Sequence, residues 1–229
     1  MTSILFLLVE CLVMNYCSVD HMVVVQYFFR ESLSHSILRL KSCSTRFCAL
    51  LLKLLNSSNQ QIVNILLVNV YLPTNYGSDE STTTFRETIA ELEGFLLSQM
   101  YDYVIIAGDF NVDFAKVSPN RAILEYFMQA FDLVRGDICS DISFTYRRDN
   151  HQFCSWVDHV ICSSAISSTI SNITSIDSVD SFPDHLPVFF TLNCYTLSTH
   201  LRSILIGQTN SASGPLSAKI NWSKSLRMT

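Results

Sequence analysis

YVIIAGDFNVD, residues 103–113, opens with four β-formers, Tyr103, Val104, Ile105 and Ile106, enough for a buried strand expected to stop at Ala107 and Gly108. Asp109, Phe110 and Asn111 follow the glycine at once. A carboxylate and an amide two residues apart are therefore expected at the carboxyl end of the strand, projecting toward one side. Open α/β sheets hold their ligands at that end. The same GDFN also reads as a strand followed by an Asx turn, because Gly, Asp and Asn are ordinary turn residues. Partner groups elsewhere in the chain decide between the two.

Working outward, residues 83–100 make the clearest helix. Phe85, Ile89, Leu92 and Leu96 form one apolar stripe, while Arg86, Glu87, Glu91 and Glu93 face water. Ser81 and the neighbouring threonines can cap its start. Before it, residues 46–55 and 61–72 flank a cluster of turn residues and read as an antiparallel hairpin, with an earlier β-rich run at 23–29. After the opening stretch, Pro119 can start a second helix to about Phe131, with Leu124, Phe127, Met128 and Phe131 inward. Residues 133–136 read as a connector, and 144–148 and 154–162 as strands around a polar loop. Residues 170–179 and 186–193 supply the last two strands. Strands broken by two helices give an α/β domain.

Two further motifs lie downstream: Ser155-Trp156-Val157-Asp158-His159-Val160 and Phe182-Pro183-Asp184-His185-Leu186-Pro187-Val188, each an acid followed by histidine beside an apolar run. The ordered set GDFN, S-x-V-D-H-V and D-H-L-P-V resembles the endonuclease/exonuclease/phosphatase superfamily with the DNase-I-like fold. Within it the chain is most similar to the endonuclease domain of non-LTR (LINE-like) retrotransposons. The similarity covers about residues 28–192, and the three motifs are specific together although none is alone. The resemblance implies a four-layer α/β sandwich, two packed mixed sheets flanked by helices, incomplete at the N-terminus. It divides the chain into a divergent segment 1–27, the nuclease domain 28–195 and a flexible linker or tail 196–229. Lys219 to Lys224 is similar to the segment joining endonuclease to reverse transcriptase in LINE-like polyproteins, so a longer protein would continue from here.

The implied activity is a Mg²⁺-dependent phosphodiesterase, with Mn²⁺ as an alternative ion, that nicks DNA as a monomer. Phosphodiester cleavage needs an activated water, charge neutralisation on the phosphate and a proton for the leaving oxygen. By resemblance, Asp109 handles the proton of the water or leaving group, Asn111 orients water and phosphate, His185 contacts the scissile phosphate and Asp158 holds the histidine ring. Asp184 resembles a metal-site acid. Asn69 and Tyr71, in the N-V-Y-L-P stretch, and Arg147 and Arg148 are candidate phosphate or DNA contacts. Family members also carry a strand ending in Gln-Glu whose Glu is the principal Mg²⁺ ligand; here Glu10, in LFLLVECL, is the candidate. Pro183 stands where a Ser usually precedes Asp-His.

Each residue has a plainer reading. Asp109 and Asn111 can be turn residues, Asp158 and His159 a strand-end ion pair with His159 packing, Arg147 and Arg148 a solvated strand end, and Tyr71 a lid on the core. At the level of the whole chain, the alternative to an active nuclease is a catalytically inactive remnant of such a domain. A secreted DNase-like or phospholipid phosphodiesterase would need a signal peptide and cysteine pairing.

Composition bounds these readings. The chain has 229 residues, 48% hydrophobic and 15% charged, which describes a globular chain with a substantial core. A net charge of -5 argues against holding nucleic acid mainly by basic counterion release, but a bound divalent cation would supply local positive charge. The eight cysteines are scattered without a C-x-x-C pair, so buried thiols in a reducing, nuclear or cytoplasmic compartment are expected over disulfides or zinc. The apolar run at 4–14 lacks a basic flank, contains Glu10 and is too short to cross a bilayer, so it reads as a strand before it reads as a signal-peptide core.

Overall fold

The computed structural model describes residues 14–17, 23–26, 36–41, 44–55, 61–147, 153–175 and 184–192. Glu10, Arg148, Pro183, most of the 4–14 run and the tail expected from residue 196 lie outside them. The elements are β1 (Met14–Cys17), β2 (Val23–Gln26), β3 (Ile37–Leu40), β4 (Phe47–Leu55), β5 (Ile62–Tyr71), α1 (Asp79–Ser98), β6 (Tyr103–Asp109), α2 (Pro119–Ala130), β7 (Leu133–Arg135), β8 (Tyr146–Arg147), β9 (Cys154–Ser155), β10 (Asp158–Ser163), β11 (Ile170–Ser175) and β12 (Val188–Leu192). A six-stranded sheet has the order β3-β4-β5-β6-β10-β7, and β1–β2, β8–β9 and β11–β12 form separate pairs. Within the large sheet β5 and β6 are parallel, joined through α1, and the other neighbours are antiparallel.

The near-continuous apolar runs of β4, β5 and β6 are explained by burial on both faces. Leu66, Val68, Val104, Ile106 and Ile161 pack against Phe85, Leu92, Leu124 and Phe127 of the two helices. Their alternate neighbours Leu52, Leu67, Ile105 and Val160 pack on the opposite face, against Ile170, Val188, Phe190 and Leu192 of the small sheet. Helices, large sheet and small sheet are thus three of the sandwich layers among the described residues. The mixed α/β class and the two facing sheets agree with expectation. Burying a side chain such as Phe85, Leu92 or Phe127, each fully inaccessible, contributes roughly 1.5–3 kcal/mol. Among the described residues no helix is long and apolar enough to cross a membrane.

Several boundaries differ from expectation for local reasons. Helix α1 begins at Asp79 because Ser78, not Ser81, caps it: the Ser81 N–H donates to Ser78 Oγ at 3.1 Å. The threonines join the first turns, with Thr82 and Thr84 hydroxyls donating to the carbonyls four residues back. Glu93 is half-buried, not fully in water. The expected connector at 133–136 contains strand β7, which pairs with β10. The expected strand at 154–162 is broken after Ser155, where the Val157 and Asp158 N–H groups donate to Thr145 Oγ1 at 3.1 and 2.9 Å.

Strand β6 does not stop at Gly108; it continues through Asp109. Gly108 permits this, with φ +140° and a hypothetical Cβ only 2.1 Å from the Val70 carbonyl oxygen. Only a residue without a side chain lets β6 lie so close to β5, and that carries Asp109 to the sheet's edge.

Candidate active site

Three strand ends meet where the six-stranded sheet opens. Tyr71 at the end of β5 is opposite Asp109 in the parallel register, and Asp158 at the start of β10 is opposite Asp109 in the antiparallel one. Tyr71, Asp109 and Asp158 share the alternation of the side chains facing the small sheet, so two carboxylates stand side by side across neighbouring strands. His185 enters from outside the large sheet. An isolated bridge pairs it with Tyr146, and the Arg147 and Leu186 N–H groups donate to the Asp184 and Thr145 carbonyls at 2.7 and 2.6 Å. Its ring packs 5.0 Å from the Tyr146 ring. His185 Nδ1 is 3.0 Å from Asp158 Oδ2, and Nε2 is 3.9 Å from Asp109 Oδ2. The second distance exceeds a hydrogen bond, which leaves Nε2 available to a third group.

The two readings of GDFN turn out to be compatible. Asp109 Oδ1 accepts the Asn111 N–H at 2.8 Å, an Asx turn, and Asp109 Oδ2 accepts from Asn111 Nδ2 at 3.0 Å. Asn111 takes the left-handed φ of +50°. Its Nδ2 also donates to the Leu72 carbonyl at 2.8 Å, and Thr74 donates to its Oδ1 at 3.2 Å. Asn111 is thus held from the β5 side as well as from its own strand.

Burial, and then the charge of Asp158, push the Asp109 carboxyl well above the usual carboxylate range, although His185 and the Asn111 hydrogen bonds oppose the shift. Burial by itself would lower the His185 imidazole. The hydrogen bond to Asp158 and the charges of Asp158, Asp109 and Asp184 outweigh it and raise the ring to about 9. The arrangement therefore presents an imidazolium beside a proton-binding carboxyl, both on the wall of a cleft of about 560 Å³.

The far wall carries a group that the sequence reading missed. Lys116 Nζ lies 2.8 Å from Asp113 Oδ2 and 3.1 Å from Ser155 Oγ, and Ser155 donates to Asp113 at 2.9 Å. Burial tends to raise Asp113, but hydrogen bonds from Lys116, Ala115 and Ser155 hold its carboxyl below the ordinary value. Asp113 and Ser155 both lie inside the motifs, as the first acid after GDFN and the first residue of S-x-V-D-H, which was the available signal.

Of the expected residues, Tyr71, Asp109, Asn111, Asp184 and His185 line the cleft, with Asp158 directly behind His185. Asn69 is fully buried beside Gly108, so the end of β5 presents Tyr71 and not Asn69 to the cleft. Arg147 is not among the lining residues. Glu10 and Arg148 fall outside the described residues. No three Asp, Glu, His or Cys side chains converge as metal ligands among the described residues. A hard divalent cation takes six or more oxygens. The donors described here do not complete such a site.

Several solved structures share the fold. The endonuclease domain of TRAS1, a telomere-specific non-LTR retrotransposon, superposes with a TM-score of 0.56 at 11% identity, over 81% of this chain and 79% of that one. The catalytic domain of Xenopus laevis APE2 gives a TM-score of 0.50 at 18% identity over 69% of this chain, which spans only 58% of that domain. An AP endonuclease from Archaeoglobus fulgidus gives 0.50 at 13% identity over 66% of each chain. At such identities the likeness is one of fold. Among curated protein sequences none matches. The family model described as endonuclease-reverse transcriptase matches residues 65–189, more than half of the chain and the span that holds Asp109, Asn111, Asp158, Asp184 and His185, so the chain belongs to the endonuclease-reverse transcriptase family.

Proposed function

We propose that this chain is a divalent-metal-dependent phosphodiesterase that nicks DNA. The observation that carries the reading is His185, held by Asp158 through Nδ1 while Nε2 stands 3.9 Å from Asp109 at the cleft wall. In this reading the imidazolium donates from Nε2 to a non-bridging oxygen of the scissile phosphate and offsets its charge. Asp109, in its ionised form, takes the proton of the attacking water, Asn111 orients that water, and Tyr71 donates to the phosphate from the neighbouring strand. The water oxygen bonds to phosphorus, the P–O bond to the leaving nucleotide breaks, and solvent returns a proton to the leaving oxygen.

Mg²⁺, or Mn²⁺ in its place, would neutralise phosphate charge and acidify the water. Asp184 on the cleft wall, with Glu10, is the proposed ligand pair; no step above runs through the ion. The reading takes residues 28–195 as the catalytic domain acting in a reducing, intracellular compartment. The family match at 65–189 supports the domain; of the thiols expected to be buried, Cys162 is buried, whereas Cys139 and Cys154 are exposed.

The test is nicking of supercoiled plasmid by the full chain with and without Mg²⁺ or Mn²⁺, alongside Asp109→Ala and His185→Ala. Metal-dependent nicking lost in both variants is expected. Absence of nicking by well-folded native protein would sink the reading in favour of a non-enzymatic remnant.

A further inference from the structure

Directly behind the cleft, on the helical face of the sheet, lies a second histidine–aspartate pair that the mechanism above does not use. Successive residues of a strand point to opposite faces, so Asp158 turns toward His185 while His159 turns the other way. His159 is fully buried. Its Nδ1 lies 2.8 Å from Asp137 Oδ2 and its Nε2 lies 2.9 Å from the Val112 carbonyl oxygen. A carbonyl can only accept, so Nε2 carries a hydrogen and donates. Asp137 Oδ1 also accepts from Arg135 Nε at 2.9 Å. Both ring nitrogens of His159 are therefore committed to partners on different elements.

The cluster around this ring touches both the loop that carries Asn111 and the strand that carries Asp158. Val112 is the residue after Asn111, whose left-handed φ needs support. Phe114, two residues further on, packs edge-on to the His159 ring at 4.8 Å. Trp156 stacks on the other side at 5.5 Å, and its Nε1 donates to the Asp158 carbonyl at 3.0 Å. The Arg135 guanidinium lies 4.5 Å from the Phe114 ring and 4.9 Å from that of Trp156.

We infer that His159, Asp137 and Arg135 form a brace that fixes the loop carrying Asn111 against the strand carrying Asp158, with His159 as a positioning residue for the nuclease reaction. The inference rests on the proposed function for its catalytic consequence and on geometry alone for the brace. His159 acts through Val112 and Asn111 on Asp109, so removing its Nε2 donor frees the Asx turn without removing a side chain that lines the cleft.

The test compares the native full chain with His159→Phe, which keeps a ring but no donor, and His159→Gln, whose amide can still reach Val112. Amide hydrogen exchange at Asn111 is expected to accelerate at least about 10-fold in His159→Phe while Leu66 and Leu92 stay protected, and to return toward native in His159→Gln. In the nicking assay, kcat falls on the order of 10- to 100-fold at unchanged KM, with rescue by Gln. His159→Phe adds nothing in an Asn111→Ala background. Equal protection of Asn111 in all three proteins, or uniform loosening of every amide in both variants, overturns the brace. Should His159→Phe not fold, the native protein decides: a protected Nε2–H signal is expected for His159, and its absence overturns the brace. Exchange needs no catalysis, so a native chain that does not nick defeats the proposed function and leaves the brace standing. A chain that nicks with no change in exchange defeats the brace alone.

Discussion

Asp158 and His159 are neighbours in sequence and belong to two different histidine–aspartate pairs. In the pair at the cleft, the His185 side chain is 22% exposed, one nitrogen is bonded to Asp158 and the other is left available. In the pair behind it, the His159 side chain is 0% exposed and both nitrogens are bonded. The chemistry of the two pairs is the same, and their saturation differs. A ring with an open nitrogen on a cleft can give and take a proton or hold a phosphate oxygen, whereas a buried ring with both nitrogens committed can only transmit position. A motif that spells Asp-His tells neither which residue pairs with which partner nor which pair works. The face of the strand decides that.

Removing the working ring should show the largest effect. His185→Ala is expected to lower the nicking rate roughly 10²–10⁴-fold, the range of a lost acid–base or charge-stabilising group. The melting temperature should move by less than about 4 °C, because a partly exposed side chain at a cleft contributes little packing. A steep loss of stability together with activity would make His185 a structural residue and erase the contrast.

Breaking the buried pair should do the reverse. Asp137→Asn leaves the largely buried Arg135 guanidinium without its counter-charge, and uncompensated buried charge costs roughly 3–5 kcal/mol. For a domain of this size that is a fall of about 10 °C or more, read by thermal melt. Unchanged melting would mean that the cluster is not the brace described.

Asp158→Asn distinguishes the two pairs more finely. The amide can still accept from His185 Nδ1 but no longer favours the cationic ring. A rate loss of about 10²-fold is expected, with the His185 limb of the pH–rate profile displaced to lower pH. A profile that keeps its shape would remove Asp158 from the site.

The sequence was most legible where burial alone sets the pattern. The stripe Phe85, Ile89, Leu92, Leu96 is dictated by burial of one helix face and the runs of β4, β5 and β6 by burial of both sheet faces, and they formed as read. Asp109, Asn111, Asp184 and His185 come together because short motifs at strand ends carry their own geometry. What stayed hidden depends on contacts distant in sequence. Thr145 interrupts the expected 154–162 strand by capturing two N–H groups from twelve and thirteen residues away. Strand β7 escaped because three residues that end in Arg135 show no alternation, and that arginine is turned onto Phe114 and Trp156. The Asp137–His159 bond spans 22 residues with no spacing signal, so the sequence offers Asp158 as the ion-pair partner of His159 where the structure has Asp137.

The smallest expected effect concerns pH, and its sign follows from the cleft pair. Both Asp109 and His185 bind their protons more tightly in the folded chain than as ordinary groups, His185 rising from 6.5 to about 9. The folded state therefore holds protons that the unfolded chain has released, and stability falls with rising pH. The His185 share is fully present below about pH 6.5 and is lost as pH climbs through about 9. The Asp109 share acts in the same direction from a lower pH upward, since the fold penalises its ionised form. Thermal melts of native protein with chelator present should thus decline by a few degrees between about pH 6.5 and 9. Asp137→Asn should keep that slope on a lower curve, because the cleft pair is intact, whereas His185→Ala should make it shallower and leave only the Asp109 share. A slope as steep in His185→Ala as in the native protein would remove His185 from the proton-binding role on which the contrast between the two pairs depends.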